Sequence, residues 1–313
     1  MRPICLLAVY VAAVFGGGAL LAPWLYQLTQ WGARHWTALE GLAQNPFSRF
    51  VLRAILGLAV LGLWPLLRGC GMLSAREMGL TSRLDGVSPY RGCGRPLRNL
   101  AAGFGIGFGS LAGAAGLAIV CGGRTANLSY SQAEMFHILA GATATTIVVA
   151  VLEELIFRGA LFGILRKTLA WPLALAVSSA VYASVHFLHK APAPPPIDWL
   201  SGIRLLPELF RSPPDGLALV PAFFTLLLAG AILALAYQRT GTLFMSIGLH
   251  AGWIFWLRAY GALTREAAGA WRPIWGSDKL IDGWLPFFIL AVVLAGVWRA
   301  GRPASGADSR QKS

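Results

Sequence analysis

The chain has 313 residues, of which 56% are hydrophobic and only 12% charged, about half the roughly 25% charged residues of a soluble globular domain. Its 13 acidic and 26 basic side chains cannot coat a water-soluble core of this size while long apolar runs also remain. The composition therefore excludes a soluble fold and implies a polytopic membrane protein. The net charge of +13 is spread over the ends of the apolar runs instead of one soluble face, which is a topology signal and excludes nucleic acid as a partner.

Apolar runs near the roughly 20 residues that span a bilayer fall at 3–27, 50–68, 98–121, 135–165, 171–188, 217–237, 242–258 and 283–299. The expected fold is all-α, a transmembrane bundle of about eight spanning helices forming one domain over 1–300. The first run is longer than the roughly 7 to 15 apolar residues of a signal peptide, so it reads as an uncleaved helix. The third run carries Gly103, Gly105, Gly107, Gly109, Gly113 and Gly116. With no preceding strand they do not form a dinucleotide fingerprint, and Gly105, Gly109 and Gly113, four apart, are expected to let helices pack closely. Between the fifth and sixth runs, Ala191–Pro196 opens a loop expected to be extended, with little helical potential. The tail at 301–313 is small, polar and expected to be disordered. Cys5, Cys70, Cys93 and Cys121 lie far apart with no CxxC pair, so neither a zinc cluster nor a disulfide framework is indicated.

Lysine and arginine set the orientation. With the N-terminus in the cytoplasm, 14 basic residues fall in inner segments and 10 in outer ones, the largest inner group being Arg68, Arg76, Arg83, Arg91, Arg95 and Arg98. That bias puts both termini on the cytoplasmic side of what is expected to be a bacterial inner membrane.

Inside the fourth run stand Glu153, Glu154 and Arg158. An ionisable side chain at a bilayer centre costs on the order of 2.5 to 3.5 kcal/mol, so three in six positions call for a compensating purpose. On an α-helix Glu154 and Arg158 are only about 40° apart and can form an ion pair, whereas Glu153 lies about 140° from Arg158. The pair explains two of the three charges as helix packing and leaves Glu153 for function. Two later helices carry His186 and His250. At 1.5 Å per residue, Glu153, His186 and His250 lie about 20, 24 and 15 Å from the cytoplasmic helix ends, near one level of the membrane. His35, His137 and His189 flank the spans and are expected at interfaces.

A carboxylate and two imidazoles in a bundle interior suit hydrolysis in two ways. The glutamate can be the general base on a water that the imidazoles orient, or the three can ligate a divalent metal such as zinc that activates the water. The same residues could also relay protons or grip a ligand in a non-catalytic transporter or binding scaffold. No HExxH is present, so the expected cofactor is none.

Glu153-Glu154-x-x-x-Arg158, an aromatic residue four before His186, and His250 on a later helix together resemble the CPBP family. These are CAAX protease and bacteriocin-processing intramembrane proteases related to the type II CAAX prenyl endopeptidases. The resemblance spans about 135–258, and Arg76-Glu77-Met78-Gly79-Leu80 looks like the short segment that often precedes that core. It implies an intramembrane endopeptidase of glutamic type with Glu153 as base, His186 orienting the water and His250 contributing to an oxyanion hole, supported by Glu154 and Arg158. The implied substrate is a membrane-associated protein or peptide precursor in the lipid bilayer. Two positions depart from the family pattern. Tyr182 stands where Phe is common, and Ile254 stands where Asn or Asp usually follows the histidine by four residues. The second departure removes an expected oxyanion donor, a loss on the order of 10² to 10³ in rate where such a donor acts. Trp253, Trp256 and Arg258 are the nearby candidates to replace it.

Overall fold

Each of the eight apolar runs folds into a helix close to where the sequence places it. The computed structural model describes residues 2–81, 96–188, 191–192, 196–211 and 216–300. Arg83, Arg91, Arg95, Cys93, His189, Pro194, Pro195 and the 301–313 tail lie outside the described residues. The helices are α1 (Arg2–Ala33), α2 (Phe47–Gly69), α3 (Pro96–Val120), α4 (Gln132–Glu154), α5 (Trp171–His186), α6 (Ser201–Leu209), α7 (Gly216–Thr240), α8 (Phe244–Leu263) and α9 (Trp284–Ala300). Two three-residue strands, β1 (Arg124–Ala126) and β2 (Thr264–Glu266), pair antiparallel. Among the described residues five helices are long and apolar enough to cross a membrane: α1, α2, α3, the continuous Gln132–Leu165 and Leu219–Thr240. The fold is all-α and the chain is an integral membrane protein.

The chain divides into two units, 1–73 with 184–214 and 74–183 with 215–313. In the first, α1 packs along α2. A Cβ on Gly18 would overlap the Ile55 backbone, and the Tyr10 hydroxyl donates to the Ala59 carbonyl at 2.7 Å. The helix α6 lies in the stretch expected to be a structureless loop. Its residues bury Leu205 and Leu209 against the core formed by Val14, Phe50, Val51 and Ile55, while Gly202 meets the Ala19 backbone. Asp198 supplies the start signal, accepting from the Leu200 N–H at 2.9 Å, the Ser201 hydroxyl at 3.0 Å and the Arg204 guanidinium at 2.8 Å. That guanidinium holds the Asp198 carboxyl below the usual carboxylate range. The prolines before it masked a nine-residue amphipathic pattern.

The second unit is built on α3 and α8, which run in the same direction with their backbones in contact. A Cβ on Gly103 would overlap the Met245 carbonyl and the Leu249 amide, and one on Gly107 the Leu249 carbonyl. From the other side, Gly248 abuts Leu100 and Phe104, and Gly252 abuts Gly107 and Phe108. This is a small-residue seam of the kind that draws membrane helices together. It corrects the expectation for Gly105, Gly109 and Gly113, which face open space. The packing glycines are two positions away, about 200° round the helix, on the face that meets the glycine pair of α8. The two alternatives separate on one substitution. Gly107→Ala should lower stability by about 1 to 3 kcal/mol, as overpacking does, and Gly109→Ala should be neutral or stabilise by up to about 1 kcal/mol through helix propensity, both read from unfolding midpoints in detergent.

Leu111, Ala115, Leu233, Ala236, Leu249, Trp253, Tyr260, Leu290 and Val297 form the core of this unit. At the end where α3 and α8 both finish, buried Arg124 crosses from β1 to donate to Thr264 at 3.1 Å and to Asp278 at 2.6 Å, with its guanidinium 4.9 Å from the Tyr260 ring centre. Beyond β2, the Arg272 guanidinium binds both oxygens of Glu266 at 2.6 and 2.8 Å and holds that carboxyl below its usual range.

Candidate active site

Helix α4 opens on a capping box, with the Ser131 hydroxyl accepting from the Glu134 N–H and Glu134 accepting from the Ser131 N–H at 2.8 Å. From there Ala142, Thr146, Ala150 and Glu154 are buried at four-residue intervals, so Glu154 comes inward on the buried stripe. The next eight residues, Leu155–Phe162, form a π-helix before regular geometry resumes at Gly163–Leu165. Such wide turns inside α-helices recur at functional sites.

The ion pair read from the sequence is present. Arg158 Nη1 donates to Glu154 Oε1 at 2.8 Å, with 2% and 0% of the two side chains exposed. Arg158 Nη2 also donates to the Gly230 carbonyl of α7 at 3.4 Å, and its guanidinium lies 4.4 Å from the Tyr182 ring centre. Gly230 is itself a close approach, since a Cβ there would lie 3.0 Å from the Ser179 Cα.

Glu154 Oε1 has a second partner that the sequence did not disclose. His250 Nδ1 lies 2.8 Å from it, so the imidazole is held by the same oxygen that takes the guanidinium. The carboxylate accepts, which puts the imidazole proton on Nδ1. His250 Nε2 then faces the Tyr182 hydroxyl at 3.3 Å and Glu153 Oε2 at 3.7 Å. The arrangement thus groups Glu153, Glu154, Arg158 and His250. Glu153 retains 24% of its side chain exposed while Glu154 is fully buried, so of the two carboxylates Glu153 is the more open. The glycine seam contributes directly: Gly248 and Gly252 flank His250 and fix its helix against α3.

His186 is the last residue of α5, one turn past Tyr182, and is exposed. Ile254 is buried and apolar, and two of the three candidates to replace a missing donor are engaged elsewhere or exposed. The Trp253 indole N–H donates to Ser110 at 3.0 Å, and Arg258 is exposed. The Trp256 N–H is buried with no partner among the described residues, its ring against Phe108. The polar group that does reach His250 is the Tyr182 hydroxyl. Its signal lay in the chain as an aromatic carrying a hydroxyl inside a membrane helix, where buried phenols find partners.

The side chains that would ligate a divalent metal are Glu153, His186 and His250. Among the described residues no three His, Cys, Asp or Glu side chains are grouped as a metal site requires. Glu154 Oε1 is occupied by a guanidinium and an imidazole. What the cluster can do is hold a histidine in one orientation beside a partly exposed carboxylate, an arrangement compatible with general-base chemistry.

A family model described as Type II CAAX prenyl endopeptidase Rce1-like matches residues 135–256. The matched stretch contains Glu153, Glu154, Arg158, Tyr182, His186 and His250. It supports the CPBP-type CAAX protease family and, at that level, a peptidase acting on membrane-associated substrates. No curated protein and no solved structure matches the chain.

Proposed function

We propose that the chain is an intramembrane endopeptidase of glutamic type that hydrolyses a peptide bond in a membrane-associated protein or peptide precursor. The observation that carries this reading is His250 held between two glutamates, Glu154 at 2.8 Å on Nδ1 and Glu153 at 3.7 Å on Nε2. Glu153 takes a proton from water as the oxygen attacks the carbonyl carbon. The carbonyl electron pair moves to oxygen, and His250 lies beside the developing oxyanion. The proton on Glu153 then passes to the amide nitrogen as the C–N bond breaks. His186 orients the attacking water. Glu154 and Arg158 are positioning residues: Arg158 holds the Glu154 side chain in place, and Glu154 keeps the imidazole turned.

The membrane in this reading is a bacterial inner membrane with both termini cytoplasmic, in keeping with the basic inner segments. Since the matched family is described by prenylated substrates, the test pairs a farnesylated Cys-a-a-X peptide with unprenylated membrane precursors. Wild-type protein in proteoliposomes should cleave one class and Glu153→Gln neither; equal processing by both proteins would refute the peptidase reading. On the glutamic reading 1,10-phenanthroline should leave the rate within about two-fold of untreated enzyme, whereas a metal-activated water would require loss of activity and recovery on added zinc.

A further inference from the structure

We propose that Tyr182 is a further catalytic residue, whose hydroxyl donates to the oxyanion formed on the substrate carbonyl. This rests on the peptidase reading above. The phenol is 3% exposed and its oxygen lies 3.3 Å from His250 Nε2, the same nitrogen that has Glu153 Oε2 at 3.7 Å. The base that activates water and the hydroxyl therefore converge on one atom. A single carbonyl group can present its carbon to the water on Glu153 and its oxygen to Tyr182.

The ring is fixed on three sides, with the Arg158 guanidinium over its face at 4.4 Å, the Phe157 ring edge-on at 5.1 Å and the Gly230 backbone beneath. A donor held this way is oriented before charge develops, which is the condition under which oxyanion donors act strongly. A phenol both accepts and donates. In the resting site the phenol proton is directed at the unprotonated Nε2; rotation about the C–O bond turns it to the oxyanion as that charge develops, and the Arg158 guanidinium over the ring strengthens the donation. The proton stays on Tyr182 throughout; it stabilises the oxyanion by hydrogen bonding and is not transferred. The proposal also gives the apolar Ile254 a place, because the chain then has an oxyanion donor on α5 and does not need one a turn beyond His250.

The test measures kcat and KM for wild type, Tyr182→Phe and Glu153→Gln in proteoliposomes with the farnesylated peptide and the unprenylated precursors. Phenylalanine keeps the ring contacts, so the unfolding midpoint should stay near wild type. The expected result is a fall in kcat on the order of 10²-fold with KM within about two-fold. Placing para-aminophenylalanine at 182 restores a donor at the same position and should recover at least about ten-fold of the loss. Tyr182→Phe with wild-type kcat beside an inactive Glu153→Gln would overturn the role of Tyr182 alone, as would a para-aminophenylalanine variant no faster than Tyr182→Phe. Glu153→Gln as active as wild type, or no cleavage by wild type, would overturn the peptidase reading and this proposal with it.

Discussion

Glu153→Gln should lower kcat by about 10²- to 10⁴-fold, the range of a positioned general base, and leave the protein about as stable as wild type. The two halves of that expectation come from one geometry. The Glu153 side chain is 24% exposed and its Oε2 stands 3.7 Å from His250 Nε2, beyond hydrogen-bond distance, so that contact contributes little folding energy. Glutamine keeps the shape and removes the lone pair that receives the water proton. Cleavage progress curves beside unfolding midpoints for the same preparations check both halves. A variant that loses activity only in proportion to a lowered midpoint would mark Glu153 as structural.

Arg158→Leu should behave in the opposite way, costing about 3 to 5 kcal/mol of stability, as breaking a buried ion pair does. Glu154 is fully buried and its Oε1 accepts from both Arg158 and His250. Removing the guanidinium leaves a carboxylate in an apolar interior with one imidazole to answer it. The double variant Glu154→Leu with Arg158→Leu should regain most of that stability, because replacing a buried pair by apolar side chains is often neutral. It should stay inactive, because His250 Nδ1 has lost its acceptor. Unfolding midpoints and cleavage rates for the two variants decide it; a double variant that regains activity with stability would show the pair to be scaffolding only.

The eight helices were legible because a bilayer leaves a one-dimensional signal, runs of apolar residues ended by arginine and lysine, that needs no tertiary information. The Glu154–Arg158 pair was legible for a similar reason, since four residues along a helix settle the contact locally. The glycine seam was legible as a residue type but not as a face. Gly103 and Gly107 are distinguished from Gly105 and Gly109 only by what α8 presents opposite them. The α6 helix was hidden by the prolines before it and by its short length. At the site, the sequence gathered the right ionisable residues near one depth, yet the bond from His250 Nδ1 to Glu154 depends on the rotation of α8 about its own axis, which Gly248 and Gly252 fix. The Tyr182 hydroxyl looked like a small departure from a phenylalanine pattern, and its meaning depends on the histidine nitrogen it meets 68 residues away.

The π-helix at Leu155–Phe162 makes the site sensitive to chain length as well as to chemistry. Hydrogen bonds that span five residues instead of four accommodate an extra residue in the same turn. Deleting one residue between Leu155 and Phe157 would let the helix close into ordinary α geometry, with the residues beyond Phe162 keeping nearly their facing, because seven residues at about 100° each turn about as far as eight in the wider turns. Arg158 would then stand three residues from Glu154 instead of four, off the spacing at which the pair now meets, without any side chain having been altered. Substitutions around Glu154 can weaken the cluster by degrees; a change of a single residue in length removes the wide turn, and the Glu154–Arg158 spacing with it, in one step.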